Sequence, residues 1–132
     1  MLSPLQLFQA ARIAPSGRVV LSERVPEKGS GVYVVSIANP RAVRFAKGFE
    51  DQRAPWKPDQ GIVYIGRGKC LAKRLSAFYR QQYDAPSGHR GGSAVLRIKQ
   101  PKTLHWAAVT NYKDAERRLL EAFYRVAGRW SF

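Results

Sequence analysis

The stretch at residues 61–75, GIVYIGRGKCLAKRL, constrains this chain more than any other. Ile62, Val63, Tyr64 and Ile65 are apolar and mostly β-branched, which predicts a short buried strand. Gly66 and Gly68 then predict a break and a turn, because glycine enters backbone conformations closed to other residues. From Leu71 to Tyr83 the spacing becomes helical, with Leu71, Leu75 and Phe78 on one face and Lys73 and Arg80 opposite. Arg74 falls at the border of the apolar stripe, nearer to it than solvation alone requires. A strand, a glycine turn and a helix carrying an arginine back toward the strand form a unit suited to holding a phosphate. Many strand–turn–helix units share that outline, so the rest of the chain has to decide its use.

Two further strands stand out. Gly31–Ile37 (GVYVVSI) is dense in β-branched residues and bounded by glycine and by Asn39-Pro40. Residues 103–109 (TLHWAAV) alternate Leu104, Trp106 and Ala108 against Thr103, His105 and Ala107. At the N-terminus, residues 4–12 predict a short helix with Leu5, Phe8 and Ala11 inward, and Val19, Val20 and Leu21 a brief edge strand. The expectation is one domain over 1–132, with 1–30 as an accessory segment and 38–60 as an insertion between the first two core strands. That insertion carries Arg41, Arg44, Lys47, Arg53 and Lys57 together with Phe45, Phe49 and Trp56. Arginines interleaved with aromatics suit either a solvated loop or an arm that faces nucleic acid. Residues 84–92 (DAPSGHRGG) form a glycine-rich loop centred on His89 and Arg90.

Charge bears on partners. The 132 residues carry 23 Lys and Arg against 9 Asp and Glu, a formal net charge of +14. A compact cation of that size associates with polyanions, nucleic acid first and an anionic membrane surface as the rival. No apolar run approaches the length of a membrane span, and the N-terminus has no secretory pattern. One cysteine, Cys70, excludes an internal disulfide and a cysteine-rich zinc site, and fits a reducing cytoplasm.

The last helix holds an anomaly. It is expected from Asp114 to Val126, capped by Thr110 or Asn111 and ended by Gly128. Ala115, Leu119, Ala122, Phe123 and Val126 make its inward stripe, widened by Leu120 and Ala127, and Glu116 falls inside that stripe. Glu121 instead sits among Arg117, Arg118 and Arg125, where it pairs in water. Burying an ionised carboxylate costs several kcal/mol without a partner, so Glu116 needs a cation or a donor. Two readings stand: a structural ion pair with Arg74 or Arg67, or a ligand to Mg²⁺, which is often held by a lone carboxylate and waters.

Gly31-Val32-Tyr33, Tyr64-Ile65-Gly66, Arg74 in the next helix and Glu116 opening a later one occur in the order that resembles the GIY-YIG endonuclease family. The resemblance covers residue 31 to about residue 128. It implies an α+β fold, a small three-stranded antiparallel sheet flanked by helices, and divalent-metal-dependent hydrolysis of DNA phosphodiesters. By position it implies that Tyr33 orients or deprotonates a water, that Tyr64 completes the hydrogen-bonded shell and that Arg74 stabilises the phosphate. Glu116 would hold one Mg²⁺ or Mn²⁺, and His89 resembles a histidine of some members and is an alternative base. Arg67, Lys69, Lys73, Arg41, Arg44, Arg53 and Arg90 would contact nucleic acid. Ionising a tyrosine at neutral pH costs about 4 kcal/mol, which Lys69, Arg67 or the metal would have to offset.

Three departures from the family pattern remain. The tyrosine motifs lie far apart, Phe78 stands where some members have histidine, and the chain ends Arg129-Trp130-Ser131-Phe132 without the asparagine of many members. The competing expectations are a non-catalytic nucleic-acid-binding domain of the same fold and a small basic scaffold that binds RNA. No small-molecule cofactor and no membrane partner are expected, and either a monomer or a dimer on DNA is compatible with the sequence.

Overall fold

The computed structural model describes residues 2–20, 29–40, 61–80 and 101–128, with side chains described as far as residue 75 in the third segment. Their elements are α1 (Pro4–Ala10), β1 (Gly17–Val20), β2 (Gly31–Ile37), β3 (Ile62–Gly68), α2 (Leu71–Arg80), β4 (Lys102–Ala108) and α3 (Tyr112–Ala127). This is a small α+β architecture. The sheet is antiparallel and has four strands in the order β1-β4-β2-β3, rather than the three expected. The additional strand is β1, which pairs along β4 from Gly17 opposite Trp106 to Val20 opposite Thr103. The N-terminal segment thus continues the sheet as well as packing on it.

Both faces of the sheet are covered. On one, Tyr33, Val35, Ile37, Leu104 and Trp106 pack with Leu71 and Leu75 of α2. On the other, Val32, Val34, Ile65 and Ala107 pack with Leu7 and Phe8 of α1 and with Ala115, Leu119, Ala122 and Phe123 of α3. Alternate strand residues point to opposite faces, so α2 and α3 lie on opposite sides of the sheet. The alternation expected for β4 is present, but its second face is buried too, which places His105 in the interior at 7 % exposure.

Helix ends follow local chemistry. Ser3 caps α1 in a reciprocal box with Gln6, its hydroxyl oxygen accepting from the Gln6 N–H at 3.1 Å while Gln6 Oε1 accepts from the Ser3 N–H at 2.9 Å. Asn111 precedes α3 and Gly128 ends it at φ 71°, a left-handed conformation that glycine adopts without penalty. Two inward assignments fail. Leu5 and Val126 are exposed, because the buried stripe of α1 runs through Leu7, Phe8 and Ala11, and that of α3 ends at Phe123.

The larger correction concerns Gly66 and Gly68, which do not break β3. Both remain in the strand, paired opposite Tyr33 and Gly31. They are small because side chains lie over them. A Cβ at residue 66 would sit 2.5 Å from the Tyr33 hydroxyl, and one at residue 68 would sit 2.9 Å from Arg74 Cβ.

Candidate active site

β3 is one of the two edge strands of the described sheet, and the candidate site is built around its end. A register shift between Val35 and Ser36 makes Tyr64 pair with Val35 and Ile62 with Ser36, leaving Val63 as the extra residue. This bulge lets Val63 and Tyr64 share the α2 face with Tyr33. The rings of Tyr33 and Tyr64 stack with centroids 6.1 Å apart and planes at 28°. Tyr33 is fully buried against Gly66. Arg74 comes one turn into α2, its stem over Gly68 and its guanidinium beside the two tyrosines.

Glu116 reaches the same place from the opposite layer. It lies in the first turns of α3, and its Oε1 accepts a hydrogen bond from Arg67 Nη1 at 3.2 Å across the end of β3. Of the two partners expected from sequence, Arg67 makes the ion pair, while Arg74 acts on Glu116 through its charge. Tyr64, Gly66, Arg67, Gly68, Lys69, Arg74, Tyr112, Lys113 and Glu116 together line one hollow of about 500 Å³. That volume is ample for a phosphodiester and several waters.

The electrostatics separate the tyrosines from a simple general base. Burial pushes the Tyr33 hydroxyl well above the ordinary tyrosine range, and Tyr64 adds to the rise. The charge and hydrogen bond of Arg74 oppose it without cancelling it. Burial likewise raises Tyr64, with Arg74 again opposing and Glu116 reinforcing. The cation that favours the phenolates is therefore Arg74, rather than Arg67 or Lys69, and burial outweighs it. Both tyrosines are held neutral. Glu116 is also raised, by burial first, with Arg67 and then Arg74 pulling it back.

Among the described residues no three His, Cys, Asp or Glu side chains gather as a ready-made metal cage. Glu116 alone offers a hard carboxylate in the hollow. Magnesium keeps several waters and takes further oxygen ligands from substrate phosphate, so one carboxylate facing such a space fits a site that the substrate completes.

Of the residues expected at the site, Tyr64, Arg67, Lys69, Arg74 and Glu116 line the hollow and Tyr33 lies behind it. Lys73 is exposed on α2 and does not line it. His89, Arg90, Arg41, Arg44 and Arg53 lie outside the described residues. Tyr112 and Lys113 were missed. Their signal was present, since they precede Glu116 by four and three residues and so share its side of the helix. No family model, curated protein or solved structure matches the chain.

Proposed function

We propose that this protein is a divalent-metal-dependent DNA endonuclease with a GIY-YIG-type site, hydrolysing phosphodiester bonds. The observation that carries the reading is convergence. Tyr64, Arg74 and Glu116 come from β3, α2 and α3 into one hollow, with Tyr33 stacked behind Tyr64. Arg74 presents a planar set of donors to the non-bridging oxygens of a phosphate. The neutral phenol of Tyr64, backed by the buried ring of Tyr33, orients the attacking water by hydrogen bonding, which needs no ionised tyrosine. Glu116 would hold one Mg²⁺ or Mn²⁺, which when bound supplies charge stabilisation on the phosphoryl oxygens. Lys69 and Lys113, both exposed, hold neighbouring phosphates and contribute affinity without sequence information.

The test is nicking of supercoiled plasmid in Mg²⁺ or Mn²⁺ by wild type, Glu116→Ala and Arg74→Ala. The expected outcome is cleavage by wild type that falls by about a hundredfold or more in each variant. Activity unchanged by both substitutions would overturn the site assignment.

A second reading, a nucleic-acid-binding domain with little or no activity, is favoured by one feature. The one carboxylate that the described residues bring to the hollow is already engaged by Arg67. DNA binding by wild type and both variants, with cleavage by none, would select it.

A further inference from the structure

We propose that Arg67 is an exchangeable counter-cation of Glu116, so that a divalent ion and DNA enter the hollow together and each binds weakly alone. The inference rests on the nuclease reading and concerns how its site fills. Among the described residues the hollow is lined by four basic side chains, Arg67, Lys69, Arg74 and Lys113, against one carboxylate, that of Glu116. A small dication arriving by itself meets an excess of positive charge and finds its one anionic ligand already taken. The Arg67–Glu116 contact is a single N–O approach of 3.2 Å, with the Arg67 side chain 43 % exposed. A single-pronged, part-exposed pair of this kind is easily given up.

A phosphate changes both terms. It brings negative charge into the hollow, and it offers the guanidinium a two-oxygen acceptor that matches its fork geometry better than one carboxylate oxygen does. Arg67, anchored at the end of β3, turns from Glu116 to the phosphate and releases the carboxylate. The divalent ion then has an anionic ligand and a neutralised surrounding. Coupling of this type is reciprocal, so the metal must strengthen DNA binding by the factor that DNA strengthens metal binding.

The test is Mn²⁺ binding followed by electron paramagnetic resonance. It uses the full chain with and without a short DNA duplex carrying phosphorothioates to slow hydrolysis, with Mn²⁺ bound by the duplex alone subtracted. For wild type, the duplex is expected to tighten Mn²⁺ binding by about tenfold or more, within the usual range of coupling between sites. Arg67→Gln is expected to bind Mn²⁺ more tightly than wild type in the absence of DNA and to lose most of the enhancement. Arg67→Lys, which keeps the charge but not the fork, is expected to retain only part of it. Equal Mn²⁺ affinity with and without DNA, or an Arg67→Gln variant indistinguishable from wild type, overturns the exchange while leaving the nuclease reading intact. Glu116→Gln binding Mn²⁺ as wild type does would remove the metal seat itself, and the exchange with it.

Discussion

Glycine at residue 66 shows how tightly the site is assembled. A methyl group there would have to share space with the Tyr33 hydroxyl, 2.5 Å from the added carbon, in a core where Tyr33 is fully buried. Gly66→Ala is therefore expected to lose about 1–3 kcal/mol, the usual cost of overpacking, and to shift the near-ultraviolet signal of the Tyr33–Tyr64 pair. Thermal unfolding and circular dichroism measure both.

A second residue gives stability a pH dependence. His105 is buried and its Nδ1 has no hydrogen-bond partner among the described residues. Burial first, and then the charge of Arg18, lower its pKa below the ordinary histidine value. The native chain thus holds His105 neutral, while the unfolded chain takes up a proton near pH 6.5, so the unfolded state binds more protons just below that value. Stability is full above about pH 6.5 and declines on acidification toward the native pKa. A urea midpoint that falls between pH 7.5 and 5.5 in wild type, and falls less in His105→Phe, is the expected result, with about 6.5 as the unfolded reference.

At this scale the sequence was informative where chemistry demanded a residue type. Arg74 and Glu116 stood out from spacing, because a carboxylate on an apolar stripe and an arginine at the border of another need partners, whereas Tyr33 and Tyr64 were named only by what the family resemblance implies. The part played by Gly66 and Gly68 could not be named. A glycine that turns the chain and one that makes room for a ring read alike until the ring is placed.

Elements were legible where periodicity is strong and less so where a short segment depends on its partner. β2, β3, β4 and α3 are long and patterned enough to stand by themselves, and Asn111 and Gly128 bracket α3 as expected. β1, at Gly17–Val20, meets the brief edge strand expected around Val19 and Val20, but with four residues only its pairing with β4 shows which strand it joins. On α1 one inward position, Leu5, was misjudged for a related reason, while Phe8 and Ala11 are buried as expected. In a helix of seven residues Leu5 and Leu7 compete equally on spacing, and contact with the sheet decides for Leu7 and Phe8. Two substitutions separate capping from packing in α1. Ser3→Ala removes the reciprocal cap and is expected to lose about 1 kcal/mol, whereas Phe8→Ala opens a cavity under the sheet and is expected to lose about 3–5 kcal/mol. Chemical denaturation of the two variants side by side measures the difference.

For the whole molecule, the net charge of +14 dictates behaviour that no single contact does. Binding to DNA through phosphate contacts releases condensed counterions, so affinity should fall by about a thousandfold between roughly 50 and 200 mM salt if six or more phosphates are engaged. Fluorescence anisotropy with a labelled duplex checks the slope. An affinity that scarcely changes over that range would mean that recognition is not dominated by phosphate.

The opposite placement of α2 and α3 has a consequence of its own. Arg74 hangs from one layer and Glu116 from the other, and they meet only by reaching around the end of β3. The gap between guanidinium and carboxylate is therefore a caliper on the thickness of the sandwich. Ala115 and Ala107, both fully buried where α3 rests on the sheet, act as its shims. A bulkier side chain at either position would lift the helix, and under the proposed chemistry the two jaws would drift apart while the scaffold stayed upright.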